Sequence, residues 1–428
     1  MRAAVIADAD RLDLLNRQAA AGQLQGFAVE APGTTPSLTG RFDKAAGVIT
    51  LPAASFQPGG TAASSDLDAV VGLQAITVEF AHKTWQDLAG TTHTVDQDMV
   101  DNLQSTFNGS PVLAAQVKDA ITQGHVQHFS LLPHGMAAGA TYDGNTRSED
   151  GSPKGINLPP LGLQSKTVAN PQGDYDAEDM TFVLGHEIQH GFNDATTDHA
   201  TGTFLQDIRA QAQQQTAVHH YTDELRAYIQ NAREDEAKAE IAGWNALLSR
   251  ERQFHPNGNG LDLVLKTRND RVLDFVSRDP STTNVKVIAN PGLTFNPDGS
   301  LSQTPGNIAA MGQHYFDRPS HLHAQPHQRP GFLGEHSPPL PITPMTTAPG
   351  RWSRCSRPRT RPHSAQWRCG GGCLDRCPAE QRCLRRARCA AGIRAIAGRP
   401  GTVGGNDGRC AGRSAAAATV AQPARSRA

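Results

Sequence analysis

The chain reads as an α+β fold, long helices beside a small antiparallel sheet, and three features point that way. Good helix formers at 3.6-residue spacing fill Asp176–Asp194 and Thr222–Arg252. Short strand-like pieces occur at Gly40–Pro52, Met136–Tyr142 and Gly155–Leu158. Clusters such as Asn108-Gly109-Ser110-Pro111 punctuate the chain between them. At 428 residues it is long enough for two or three domains. We expect an N-terminal α+β region over 1–125, a motif-bearing domain over 126–336, and a distinct tail over 337–428.

Residues 1–30 begin as a helix, with Leu12, Leu14 and Leu15 followed by an Ala/Gln-rich stretch. Gly40–Pro52 reads as a hairpin, and Ala69–Ala81 contains an apolar β-branched run of strand character. Helices are expected at 95–107 and 111–123, split by the Asn-Gly-Ser-Pro turn. Gly135–Pro160 alternates strand-like pieces with a polar turn at 145–154. An edge strand there, either Met136–Tyr142 or Gly155–Leu158, would offer unpaired N–H and C=O groups to an added peptide.

Asp176–Asp194 follows as one short helix. Asp176 and Asp179 suit its N-terminus, and Gly191 is a plausible stop. Leu184, Ile188 and Thr181 fall opposite His186, so the core face and the His face are separate. His186 and His190, four apart, share one side, where their ring nitrogens can converge on one ion. Glu187 projects about 100° further round, beside that ion, where a general base belongs. Chance alone would place an H-E-x-x-H in a chain of this composition roughly 2% of the time.

A third ligand is sought on the helix Thr222–Arg252. Leu225, Ile229, Ala232, Glu236, Ala239, Glu240, Gly243 and Leu247 share an arc of about 100°. Two carboxylates thus interrupt an apolar stripe, and a buried carboxylate is costly unless paired or metal-bound. Glu224, off that stripe in the first turn, is a weaker candidate. Adjacent Glu234 and Asp235 suit a solvated face. Residues 253–335 are mixed: a helix and strand pair around Leu261–Val287, then a Pro/Gly/Asn-rich loop over 291–307. His321, His323 and His327 fit a polar loop.

H-E-x-x-H at 186–190 followed by E-x-x-A-E at 236–240 resembles the gluzincin branch of zinc metallopeptidases. The resemblance covers these two helices alone. It implies a zincin-like core with an active-site helix and a second ligand helix, Zn²⁺ as cofactor, and hydrolysis of a peptide or protein substrate. It also implies His186, His190 and Glu236 as metal ligands, Glu187 as general base and Glu240 behind a ligand histidine. The family more often has Asp at that last position, which leaves the roles of Glu236 and Glu240 open to exchange. Such sites usually add a His or Tyr to stabilise the oxyanion, and His314 or Tyr315 lies in the right order along the chain. The rival expectation is a non-catalytic, zinc-stabilised binding or effector module with a vestigial site.

Composition separates the tail from the rest. From Arg351 onward there are 17 Arg, no Lys and three acidic residues, against a net charge of −1 for the whole chain. All seven Cys lie between 355 and 410, so the body uses no disulfides. The tail has no periodicity able to bury a core, and we expect disorder or a GC-rich gene read out of frame. Translation of the other two frames tests the latter. The Cys spacings lack paired C-x-x-C knuckles, and basic composition alone argues weakly for nucleic acid. No secretory h-region and no run of 18 apolar residues is seen, so the expected location is cytoplasmic, with leaderless secretion compatible.

Overall fold

The computed structural model describes residues 8–317 apart from 57–60, 134, 137, 145–153, 216–218, 259, 265–266, 268–269 and 279–286. All of these lie in the first of two units, Met1–Arg354. The expected turn at 145–154, save Lys154, the His321–His327 cluster and the whole 337–428 tail lie outside the described residues. Helices and small sheets mix as an α+β fold requires, with seven α-helices and ten short strands among the described residues.

Helix α1 (Ala9–Ala20) starts at Asp8, whose side chain accepts from the N–H groups of Asp10 and Arg11. Strands β1 (Gly26–Val29), β2 (Arg41–Asp43) and β3 (Val48–Leu51) form a sheet ordered β1-β3-β2, with β2 and β3 antiparallel as expected. Ala69–Ala81 is a correction: it belongs to helix α2 (Thr61–Ala81), not to a strand. Val70, Val71, Leu73, Ala75, Val78 and Phe80 are all buried, so every face is apolar and no helical period shows. After the hairpin β4 (Thr84–Gln86) and β5 (Thr92–Thr94), helices α3 (Gln97–Asn108) and α4 (Pro111–Thr122) flank the turn read from Asn108-Gly109-Ser110-Pro111. Asp96 and Ser110 cap them.

The sheet nearest the motif helix has the order β6-β8-β7, from β6 (His128–Leu131), β8 (Gly155–Leu158) and β7 (Thr141–Asp143). It is mixed rather than antiparallel, because β6 pairs with β8 in parallel and β7 with β8 antiparallel. Gly155–Leu158 is therefore central and cannot be an edge; β6 and β7 are the edges, and β7 is the one beside α5. The helix expected at 176–194 is longer, running as α5 over Ala177–Ala212. Gly191 does not stop it. A Cβ there would lie 3.1 Å from the Tyr142 ring and 3.2 Å from His125, so this glycine admits the close approach of β7.

Helix α6 (Thr222–Phe254) packs against α5 along its second half. The closest approach is at Gly185 and Gly243: a Cβ on the first would lie 2.8 Å from Ala246 Cβ, and on the second 2.8 Å from the Phe182 carbonyl oxygen. Helix α4 ties down both helices there, with Gln116 Nε2 donating to Gly185 O at 2.9 Å and Ser110 Oγ to Ala246 O at 2.7 Å. Below the crossing, Trp244 stacks on Phe275 at 4.7 Å and donates from Nε1 to Gly299 O. No residue of α5 beyond Asn193, and none of α6 before Ala237, is buried. The expected apolar stripe on α6 therefore begins later than its spacing suggested, since Leu225 and Ile229 are 43% and 47% exposed.

The expected helix near Leu261 gives only short 3₁₀ turns at Gly260–Asp262 and Asp270–Asp274, followed by the paired strands β9 (Val276–Arg278) and β10 (Val287–Ala289). Helix α7 (Pro305–Asp317) begins inside the stretch expected to be loop. Its signal was local: Thr304 Oγ1 accepts from Asn307 N, and Pro305 occupies a first-turn position that needs no N–H. Arg233 of α6 clamps the other end, donating to both Asp317 oxygens and to Gly312 O. No helix among the described residues is long and apolar enough to cross a membrane. Gly243→Val should destabilise the fold by about 1–3 kcal/mol, the usual cost of overpacking, read as a lower midpoint in urea.

Candidate metal centre

Asp176 fixes the start of α5 by accepting from the N–H groups of Glu178 and Asp179 at 2.9 and 3.1 Å. Ten residues on, His186 faces α6, and His190 follows one turn later. His186 Nε2 lies 3.0 Å from His190 Nε2 and 3.5 Å from Glu236 Oε2, which is 3.9 Å from His190 Nε2. A triangle with these sides has a circumradius of about 2.0 Å, from the product of the sides over four times the area. That matches metal–nitrogen and metal–oxygen bond lengths of about 2.0–2.2 Å. His186, His190 and Glu236 form a group that could hold a metal ion, and their donor set of two imidazoles and one carboxylate suits one.

The other ring nitrogens meet carboxylates too. His186 Nδ1 is 3.3 Å from Glu240 Oε1, and Glu240 is almost wholly buried. Geometry thus puts Glu236 on the metal side of His186 and Glu240 behind it. His190 Nδ1 is 3.1 Å from Asp235 Oδ2. Asp235 in turn accepts from Asn193 Nδ2 at 2.8 Å, and Asn193 Oδ1 accepts from Gln189 Nε2 at 2.9 Å. Asp235, expected on a solvated face, is the functional residue that sequence reasoning missed. Its spacing held the signal: 235 precedes a proposed ligand by one position and lies on the side of α6 facing the last buried turn of α5.

Electrostatics are compatible with a cation at the centre of the group. Burial pushes the His186 pKa down, but Glu236 and Glu240 outweigh it and leave the imidazole well above its ordinary value. Burial likewise opposes, and Asp235 and Glu236 reverse, the shift at His190, which ends raised. Burial would raise Glu236, yet the two histidines hold it low. Both imidazoles thus favour a proton, while 3.0 Å between their Nε2 atoms leaves room for one at most. A cation taking a lone pair from each removes that conflict.

Glu187 lies against the sheet. Its Oε2 accepts from the backbone N–H of Tyr142 in β7 at 2.8 Å, and burial raises its pKa. Tyr142 is held in turn by Gly191 beneath its ring and by donation from its hydroxyl to His125 O. Of the two oxyanion candidates, His314 Nε2 donates to Pro291 O at 2.8 Å. Tyr315 feels burial first and then the charges of Glu236 and Glu240, which together push its hydroxyl far above the ordinary phenol value. Glu224 accepts instead from Gln211 at the far end of the α5–α6 hairpin. His199, His219 and His220 are not in the group. A cavity of about 760 Å³ beside β2, lined by Glu30, Arg41 and Asp101, shares no residue with it.

No family model, no curated protein and no solved structure matches the chain.

Two outcomes are expected if the group holds a metal. The first is a pH dependence. Each proton displaced makes metal affinity rise by about tenfold per pH unit while the imidazoles remain protonated. Without metal, the raised imidazole values contribute stability that is complete below about 6.5 and lost as pH rises through the folded values. Melting curves from pH 6 to 8 should therefore fall with pH in chelator and rise in excess metal. The second concerns the supporting carboxylates: Asp235→Asn or Glu240→Gln should weaken metal binding about 10–100-fold by competition titration.

Proposed function

We propose that this chain is a zinc-dependent peptidase with a zincin-like core of the gluzincin kind. The observation that carries the reading is the union of a two-histidine, one-glutamate metal group with a carboxylate, Glu187, held on a sheet edge beside it. A structural zinc site closes its tetrahedron with four protein ligands, whereas three leave a position for water or substrate. Glu236 keeps a quarter of its side-chain surface exposed, so solvent reaches the ligand group. This favours catalysis over a purely structural, zinc-stabilised binding module.

His186, His190 and Glu236 would hold the ion, with Glu240 and Asp235 fixing the two rings through their Nδ1 atoms. When bound, zinc supplies Lewis-acid polarisation of the peptide carbonyl and acidifies water. Glu187 accepts a proton from the attacking water as the water oxygen bonds to the carbonyl carbon. It then delivers that proton to the amide nitrogen as the C–N bond breaks, and the second water proton passes from the new carboxyl group to the amine, giving a carboxylate and an ammonium. Its raised pKa suits both halves of this transfer. The outward N–H of Tyr142 on β7 is taken by Glu187, so this edge strand holds the general base in place. Of the two oxyanion candidates, Tyr315 is kept, since its hydroxyl feels the charges of Glu236 and Glu240 whereas His314 donates to Pro291 O.

Glu187→Gln should keep zinc at one ion per chain while cleavage of denatured protein falls by about 10²–10⁴-fold or more. Undiminished turnover in that variant overturns the peptidase reading.

A further inference from the structure

The segment Ala138–Tyr142 runs beside α5 in the same direction as the helix. Tyr142 meets Glu187, and Gly139 meets Val183 one turn earlier, where a Cβ would lie 3.0 Å from Val183 Cγ2. Further back, at the head of α5, the same segment walls a cavity of about 340 Å³ that also reaches Asp179 and Met180. The cavity therefore lies along the line that leads to the general base. Asp179 precedes Glu187 by eight helical residues, or about 12 Å. An extended chain covers that distance in about four residues.

Its walls mix apolar and polar groups, and its charge leans acidic. Pro133, Met136, Pro160 and Leu161 line it, with Asp174 and Asp176 against Lys166, while the third lining carboxylate, Asp179, already pairs with Arg271 at 3.4 Å. Two large apolar side chains stand in solvent at the rim: Met136 is 52% exposed and Leu88, at the tip of the β4–β5 hairpin, 80% exposed. Leu88 reaches the rim itself, with Cδ2 3.3 Å from where a Gly135 Cβ would be. Exposed apolar side chains around a concavity are a mark of ligand contact, and the excess of carboxylates adds a preference of sign.

Resting on the peptidase reading, we infer that this cavity is a specificity subsite. It takes a large apolar residue of an extended polypeptide, next to a basic one, about three to four residues from the bond cleaved. Substrates would then be unfolded or loosely structured protein segments, which can lay an extended run of that length between the cavity and Glu187.

The test uses the full zinc-loaded chain and synthetic peptides carrying Phe-Arg or Ala-Glu at the third and fourth residues from a central bond. We expect kcat/KM about tenfold or more higher for Phe-Arg, the scale of burying one large apolar side chain. Met136→Ser and Asp174→Lys, both at exposed positions, should each cut that ratio to about threefold or less while leaving tetrapeptide cleavage and zinc content unchanged. Cleavage with no preference, or a preference that neither variant moves, overturns the subsite and leaves the peptidase reading standing. If no peptide is cut, fluorescence-polarisation binding to zinc-loaded Glu187→Gln decides. A Phe-Arg preference abolished by Met136→Ser supports the cavity against a failed peptidase reading, and equal binding of both peptides overturns it.

Discussion

The close crossing of α5 and α6 is the constraint on which the site depends. Metal ligands on different helices must meet to within a few tenths of an ångström, and backbones carrying ordinary side chains stay 8–10 Å apart. Gly185 and Gly243 remove that spacer on both sides, and Ala246 fills the remaining gap with one methyl. His186 is the next residue after Gly185, and Glu240 and Glu236 lie about one and two turns before Gly243. Gln116 and Ser110 bind the helix carbonyls at this point from outside, so the crossing is fixed by hydrogen bonds as well as by contact.

Burial then sets the chemistry of what the crossing brings together. Five ionisable side chains of the group, His186, His190, Asp235, Glu236 and Glu240, carry more acidic than basic capacity and sit mostly out of water. His190 Nδ1 meets Asp235 in a hydrogen bond and His186 Nδ1 lies 3.3 Å from Glu240, and both rings turn Nε2 inward. The same arrangement explains why the metal-free group holds protons tightly.

How much of this was legible in the sequence depended on whether the signal was local. The H-E-x-x-H pair, the Asp176 cap and the turn at 108–111 are written in neighbouring residues, and they appear where expected. The Glu236 and Glu240 pair was visible because two carboxylates interrupt a stripe. Ala69–Ala81 misled because a helix buried on all sides loses its period, and Gly191 because its reason is the ring of Tyr142, 49 positions earlier. Asp235 was hidden for a related cause. Its partner His190 is on another helix, and beside Glu234 on a charged stretch it looks like any solvated acid. What sequence periodicity cannot report is where a long helix leaves the core.

That departure explains why the ligand group is both dry and reachable. Burial ends at Asn193 on α5 and begins at Ala237 on α6, so the last buried turn of each helix is the turn that carries the ligands. Toward Gly185 and Gly243 the group is sealed by the crossing. In the other direction the two helices continue as a hairpin outside the core, held by the stacking of Phe204 on Tyr228 at 4.7 Å. His186 and Glu240, on the sealed side, are the most buried members, and His190, Asp235 and Glu236, toward the hairpin, keep 16–25% of their side-chain surfaces exposed. A metal group placed deeper would gain rigidity and lose its access to water; one placed further out would lose the glycine contact that aligns its ligands. The position at the boundary meets both needs, and the register of Gly185 to His186 and of Gly243 to Glu236 is what selects it.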